Sequence, residues 1–257
     1  PARLVLPALE RHNVRTIARV VDHGGVFQRR QRDALPRHEG GPSVQLHLRQ
    51  VGLPSAQQRG AVALCQAIEV HDLEPHFAWI NLYSAAADER SPFFNREYNE
   101  FYFDKTVYNY YIHPQWDHFG SNTLYIKILF ADYQEGFAII EMMGEWNDAL
   151  YNDIMQLKRE VLEILMQEGI NKFILIGENV LNFHASDDAY YEEWFQDVED
   201  GWIAMLNFRT HVVDEFRRER IDYYVNFGGE LDEVAWRTLG PRPLFSLVDG
   251  VLSRRLN

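Results

Sequence analysis

Aromatic residues are distributed very unevenly along this chain, and the unevenness limits where a packed core can form. The sequence has 257 residues with 16 Phe, 13 Tyr and 6 Trp, yet residues 1–76 contain only Phe27. That segment has ten arginines, seven acidic residues and no lysine, whereas residues 77–257 carry fifteen basic and thirty-one acidic residues. Aromatic side chains supply much of the apolar area that a core buries. The sequence therefore predicts one folded domain over residues 77–257.

Residues 1–76 admit two interpretations. The Arg-rich, aromatic-poor composition is typical of a disordered or non-native segment, such as a GC-rich message yields when it is translated outside its natural frame. The other interpretation is a helical extension, because Ala61, Leu64 and Ile68 have partial helical spacing. Both interpretations predict a poor core for this segment.

Charge and cysteine content exclude several classes of partner. The formal net charge of −13 argues against binding to nucleic acid or to an anionic membrane, because both need a basic surface. The single cysteine, Cys65, allows no intramolecular disulfide and favours a reducing, cytoplasmic location. No apolar run approaches the 18 residues typical of a membrane span.

The first elements of the domain are a hairpin and a helix. Leu124–Phe130 and Phe137–Ile140 are β-branched and aromatic runs on either side of a turn at residues 132–136, which predicts a β-hairpin. A helix is expected from about Asp148 to Gly169. Its apolar positions fall on one stripe: Leu150, Ile154, Leu157, Val161, Ile164 and Leu165.

Strands and helices then alternate. Phe173–Ile176 is typical of a buried strand, a helix is expected from Ser186 to about Val198, and a short apolar run follows at Trp202–Leu206. Further helices are expected at residues 210–224 and 243–256. The alternation predicts an α/β fold with a mostly parallel sheet and flanking helices, opened by the hairpin.

The order of these elements over about residues 137–225 resembles a STAS domain, the fold of anti-sigma factor antagonists. In that family a strand ends in a Gly-Glu-Leu-Asp-like turn, and a later strand leads to an Asp-Ser-Ser-Gly-like loop at a helix start. Here the first turn is Gly144–Asp148, and the second strand leads to Ser186. Asp187 stands where the family has its phosphorylatable serine, and Asp188 replaces the following glycine. The domain is also similar to uncharacterised bacterial proteins with comparable segments at residues 113–117 and 177–184.

The resemblance implies a non-enzymatic signalling or protein-interaction domain that is STAS-like. The loop of Ser186, Asp187 and Asp188 would contact a protein partner. Since a phosphate at this place adds about −1.5 to −2 charges, the carboxylate of Asp187 would act as a permanent counterpart of the modified form. No cofactor is expected, and the sequence sets no oligomeric state.

The alternative function is a metal-dependent enzyme that uses acidic loops at the carboxyl ends of two neighbouring strands. Ligands usually bind at that edge of an open parallel sheet. Several oxygen ligands with one imidazole suit Mg²⁺, Mn²⁺ or iron. The possible ligands are Glu145, Asp148, Glu178, Asn182 and His184. The competing structural interpretation is that Asp148 and Asp187 stabilise helix N-termini.

Overall fold

The computed structural model describes residues 74–99, 101–108 and 110–255. The interpretations of residues 1–73 lie outside the described residues. The strands are β1 Thr106–Val107, β2 Tyr110–Tyr111, β3 Leu124–Asp132, β4 Phe137–Asn147, β5 Lys172–His184 and β6 Trp202–Leu206. The α-helices are α1 Asp148–Tyr151, α2 Asp153–Leu157, α3 Glu163–Gln167, α4 Ala189–Asp197, α5 Thr210–Arg218 and α6 Pro241–Arg255. A π turn, Lys158–Leu162, joins α2 to α3, and 3₁₀ turns lie at Ile221–Tyr223, Gly229–Leu231 and Trp236–Thr238.

Four strands form one mixed sheet in the order β3-β4-β5-β6. The predicted hairpin is confirmed, because β3 and β4 pair antiparallel with Asp132 opposite Phe137. The pairs β4–β5 and β5–β6 are parallel. The expectation of a mostly parallel sheet is therefore wrong, since the first strand of the hairpin joins the main sheet. The pair β1–β2 forms a separate two-stranded sheet.

Helices cover both faces of the four-stranded sheet. Side chains alternate between faces along a strand, so Ile139 and Ile140 of β4 enter different cores. Ile140 lies in a core with α2, α4 and α5, to which Leu157, Trp194 and Phe216 contribute. Ile139 lies in a second core, which α6 closes. The result is an α/β architecture of helix layer, sheet and helix layer.

The strands β4 and β5 extend much further than their most apolar runs. The Gly144–Asp148 segment, expected to form a turn, continues β4 to Asn147. Gly144 has a φ of 112°, and a Cβ placed on it would lie 2.1 Å from the carbonyl oxygen of Thr123. Only glycine permits this approach, after which Glu145 N donates to Thr123 O at 2.9 Å.

The helix expected from Asp148 to Gly169 is interrupted. Asn152 adopts a left-handed conformation with φ 52°, which asparagine tolerates better than most residues, and it separates α1 from α2. Leu150, expected on the buried stripe, is 76% exposed as a result. The stripe is otherwise buried at Ile154, Leu157, Val161 and Leu165. None of the helices in the described ranges is long and apolar enough to cross a membrane.

The outer edge of β5 is covered by side chains beyond the end of β6. β6 pairs with residues 172–176, and β5 continues through residues 177–184. Near the start of α5, Arg209 Nε donates to the carbonyl oxygen of Glu178 at 3.4 Å. The ring Nε2 of His211 lies 2.7 Å from the carbonyl oxygen of Leu181. These contacts occupy carbonyls that a further strand would use.

Candidate functional site

A buried carboxylate and a half-exposed imidazole meet at the carboxyl ends of β4 and β5. The parallel register places Glu145 opposite Asn182 and Asn147 opposite His184. Glu145 is 5% exposed, and its Oε1 lies 2.7 Å from His184 Nε2. Asn147 Nδ2 donates to the same oxygen at 3.3 Å. The side chain of His184 is 49% exposed, so the carboxylate orients the imidazole towards solvent.

Asp148 fixes the connection that follows β4. Its Oδ1 accepts from Trp146 Nε1 at 3.0 Å and from Ile154 N at 2.8 Å, and its Oδ2 accepts from Tyr191 OH at 2.7 Å. Burial raises the pKa of Asp148 to about 6, although hydrogen bonds led by that of Tyr191 favour the ionised form. Asp148 is 3% exposed, so its main role is to hold α1 against α4.

A second buried acid, Asp153, completes this anchoring. Its Oδ2 accepts from Asn147 N at 2.8 Å and from Thr123 Oγ1 at 3.5 Å. Burial raises the pKa of Asp153 above its usual value, and its hydrogen bonds, led by that of Asn147 N, offset only part of this rise. Asn147 in turn caps α1, since its side chain accepts from Leu150 N at 2.9 Å. The connection is therefore tied to β4, to α2 and to the residue that precedes β3.

The connection after β5 is held by fewer bonds. The helix expected to start at Ser186 starts at Ala189, with Asp188 as its N-cap residue. Asp187 Oδ1 accepts from Ala189 N at 3.2 Å, and Asp188 Oδ2 accepts from Tyr224 OH at 2.9 Å. Ser186 and Asp187 are exposed. Ser186 therefore precedes the helix by three residues and is accessible to a partner.

Glu178 lies in a different cluster. Its carboxylate binds Arg237 Nη2 and accepts from Trp236 Nε1 at 3.3 Å. Arg237 Nη2 also lies 3.2 Å from Glu141 Oε1, and His76 N donates to Glu141 Oε2 at 2.7 Å. Glu141 is fully buried, and that burial raises its pKa to about 7. The long strands explain the separation, because Glu178 precedes His184 by six residues of extended chain.

Only part of the predicted ligand set comes together. Glu145 and His184 meet, Asn182 stands opposite Glu145 and is half-buried, and Asp148 is used by its own hydrogen bonds. Among the described residues, one group of three acids has the spacing of a cation site: Glu163, Glu193 and Asp197.

A cation of the protein itself occupies that acidic group. Lys158 Nζ lies 3.1 Å from Glu163 Oε1, 3.0 Å from Glu193 Oε1 and 2.6 Å from Asp197 Oδ2. The Lys158 side chain is fully buried. Burial lowers the pKa of Lys158, but hydrogen bonds led by that of Asp197 raise it overall. The chemistry of this group is that of an internal ion-pair network.

Two exposed side chains beside the predicted site were missed by sequence reasoning. α1 contacts the end of β5, and it presents Leu150, 76% exposed, and Tyr151, 41% exposed. We call the end surface the set of Leu150, Tyr151, His184, Ser186 and Asp187. The two Asn-Asp pairs at residues 147–148 and 152–153 were the available signal, because such residues favour caps and turns over a helix interior.

Comparisons with known proteins assign no family. No protein-family model matches the chain, and no curated protein matches it. Among solved structures it is similar to the anti-sigma factor antagonist SpoIIAA in its unphosphorylated form, with a TM-score of 0.35 and 12% identity. That alignment covers 49% of this chain and 96% of the other. The structural similarity to a STAS-like domain is weak.

Proposed function

We propose that residues 77–257 form a protein-interaction domain of signalling type, and that its partner binds the end surface. The observation that carries the proposal is Leu150, which is 76% exposed on a one-turn helix. Large apolar side chains on a rigid support make effective anchors, because little conformational entropy is lost when they bind. Asn147, Asp148 and Asp153 supply that support through their hydrogen bonds.

The charge of the loop after β5 and of the start of α4 indicates what the partner presents. Asp187 is exposed and Asp188 is partly exposed, and Glu192 lies one turn further along α4. The chain as a whole carries a net charge of −13. Opposite charges raise association rates and exclude wrong partners. The complementary partner surface therefore has an apolar pocket for Leu150 bordered by basic side chains.

The STAS-like form of the proposal gives Asp187 a specific role. Asp187 places a carboxylate where the resembling family has its phosphorylatable serine, and its Oδ1 bonds only the nearby Ala189 N among the described hydrogen bonds. With this permanent negative charge, the domain would behave towards its partner as a constitutively modified form. Ser186 would supply the neighbouring hydroxyl at this interface.

The metal-dependent alternative has less support. It requires Glu145, Glu178 and His184 to converge on one ion, but Glu178 binds Arg237 in another cluster. The pair of Glu145 and His184 supplies one carboxylate and one imidazole, which is fewer than the two imidazoles and one carboxylate of a typical non-haem iron site.

Site-specific crosslinking tests the proposal. A photoreactive leucine analogue at position 150 should form a specific protein adduct in cells, while the same analogue at Leu247 should not. Leu247 is a matched control, since it is 41% exposed on α6. With the identified partner in purified form, Leu150→Ser should weaken binding about ten-fold, as expected for an anchor residue.

A second comparison isolates the role of Asp187. Asp187→Ser should weaken or redirect partner binding without a change in melting temperature, whereas Asp222→Ser, at another exposed acid, should have no effect. The proposal fails if position 150 gives no adduct, or if Leu150→Ser and Asp187→Ser both bind the partner as the unmodified chain does.

A further inference from the structure

A cavity of ≈ 370 Å³ lies between the segment that precedes β1 and the start of β3, apart from the end surface. Its floor is apolar. Ile112, Trp116 and Tyr125 line it and are 2%, 5% and 3% exposed. They belong to a small core with Val107 and Met143, which fixes their positions. The volume lies within the usual range for small-molecule sites, roughly 300–1,000 Å³.

One wall of this cavity is held by a buried acid. Asp117 is fully buried, and its Oδ1 binds Arg96 Nη1 at 3.0 Å and accepts from Tyr98 OH at 2.6 Å. Arg96 Nη2 also donates to the carbonyl oxygen of His118 at 3.0 Å. Lys127 Nζ lies 3.2 Å from Asp117 Oδ2. The wall residues Arg96 and Tyr98 are therefore in place before any ligand binds, which reduces the entropy lost on binding.

The rim carries both carboxylate acceptors and an ammonium donor. Glu97 and Asp104 contribute carboxylates, and Lys105 contributes an ammonium group. All three are exposed, and none forms an ion pair with another residue of the described ranges. Behind the rim Arg96 and Lys127 pair with Asp117, so the rim and its supporting wall together hold three positive and three negative charges. Tyr102, 75% exposed, adds an aromatic ring at the same rim.

We propose that this cavity binds a neutral saccharide. A hydroxyl group donates and accepts hydrogen bonds at once, so a polyol can satisfy Glu97 and Lys105 together. The apolar C–H face of a pyranose ring suits contact with Tyr102 and with the aromatic floor. A charged ligand is disfavoured, because the balanced rim charges would not compensate the loss of its hydration.

Titration of the full-length chain with glucose, N-acetylglucosamine and cellobiose tests the proposal. Saturation-transfer NMR and calorimetry at about 10 mM probe detect binding that is weaker than millimolar. At least one sugar should bind, with saturation concentrated on its ring C–H protons. Adenosine, a flat heterocycle, and glucose 6-phosphate, an anion, serve as competing probes.

Two tyrosine variants locate the site. Tyr102→Ala should lower sugar affinity about ten-fold, whereas Tyr223→Ala, at a tyrosine that is 72% exposed elsewhere, should leave it unchanged. Both side chains are exposed, so both variants should melt as the unmodified chain does. The proposal is overturned if no sugar binds, if adenosine or glucose 6-phosphate binds more tightly than every sugar, or if Tyr102→Ala has no effect.

Discussion

The connections that leave β4 and β5 both carry acidic residues, but these residues are held very differently. After β4, Asp148 is 3% exposed and accepts from an indole, a phenol and a backbone amide. After β5, Asp187 is exposed and accepts from the backbone amide of Ala189. A cluster of acids in a sequence therefore does not by itself indicate whether the residues stabilise the fold or form a binding surface. The number of donors that converge on each carboxylate decides whether it supports the fold or faces a partner.

The largest loss of stability is expected when the hydrogen bonds that hold the connection after β4 are removed. Asp148→Ala should lower the free energy of unfolding by about 3–5 kcal/mol, because it leaves Trp146 Nε1, Tyr191 OH and Ile154 N buried without their acceptor. Urea unfolding measures this loss. Asp187→Ala is the matched control after β5 and should change stability by less than about 0.5 kcal/mol. Equal losses in the two variants would contradict the comparison.

A change of pH sharpens the same comparison. The folded chain keeps the proton of Asp148 up to a pKa of about 6, above the ordinary value of 3.8. Stability from this group is therefore fully present below pH 3.8 and is lost as the pH rises through 6. Asn mimics the protonated acid, since its oxygen can accept from Trp146 and Ile154 while its amide donates to Tyr191 OH.

Asp148→Asn should therefore gain stability relative to the unmodified chain as the pH rises from 4 to 7. The expected span is up to roughly 3 kcal/mol, from a pKa difference of about two units. Urea unfolding at a series of pH values checks it. If the difference in free energy of unfolding between the two chains stays constant with pH, Asp148 does not keep its proton in the folded chain.

A third variant removes the buried ammonium from the acidic group and leaves Arg159 beside Glu163 and Glu193. Lys158→Met should lower stability by about 2–3 kcal/mol, because Glu163, Glu193 and Asp197 lose the ammonium that lies among them. These three carboxylates have the spacing of a cation site. Millimolar Ca²⁺ or Mn²⁺ should therefore raise the melting temperature of the variant and leave that of the unmodified chain unchanged. If the cations shift both curves equally, Lys158 does not occupy the site.

The smallest stability effect is expected at Leu150. Leu150→Ser should change the free energy of unfolding by less than about 0.5 kcal/mol, because the side chain is 76% exposed. Leu157→Ser, seven residues further on and fully buried, should cost several kcal/mol. Thermal melting of the two variants separates them. Similar losses of stability in the two variants would show that Leu150 is buried as Leu157 is.

The sequence predicted the elements better than their ends. Apolar runs identified the hairpin and the strand at Phe173–Ile176, and helical spacing identified the buried stripe of Leu157. In each case the order of apolar residues along the chain is enough to indicate burial. It did not predict that β5 continues to His184, because Glu178 and Asn182 interrupt the apolar pattern while the backbone stays paired with β4. Strand pairing depends on a distant segment, which local propensity does not record.

The candidate site was predicted in part for the same reason. The pairing of Glu145 with His184 follows from parallel register, and the sequence placed both residues at neighbouring strand ends. Glu178 was grouped with these two residues. In the structure it lies six residues before the end of β5, where it pairs with Arg237. The break at Asn152, which exposes Leu150, follows a turn whose first residue, Asp148, is bonded by Tyr191. That contact spans 43 residues.

The covered outer edge of β5 has a consequence for self-association. An uncovered strand edge is a template for pairing with another chain and so for aggregation. Arg209 and His211 occupy the carbonyl oxygens of Glu178 and Leu181 on the part of β5 that extends past β6. These two side chains therefore leave fewer free acceptors on this edge for a strand of another chain to pair with.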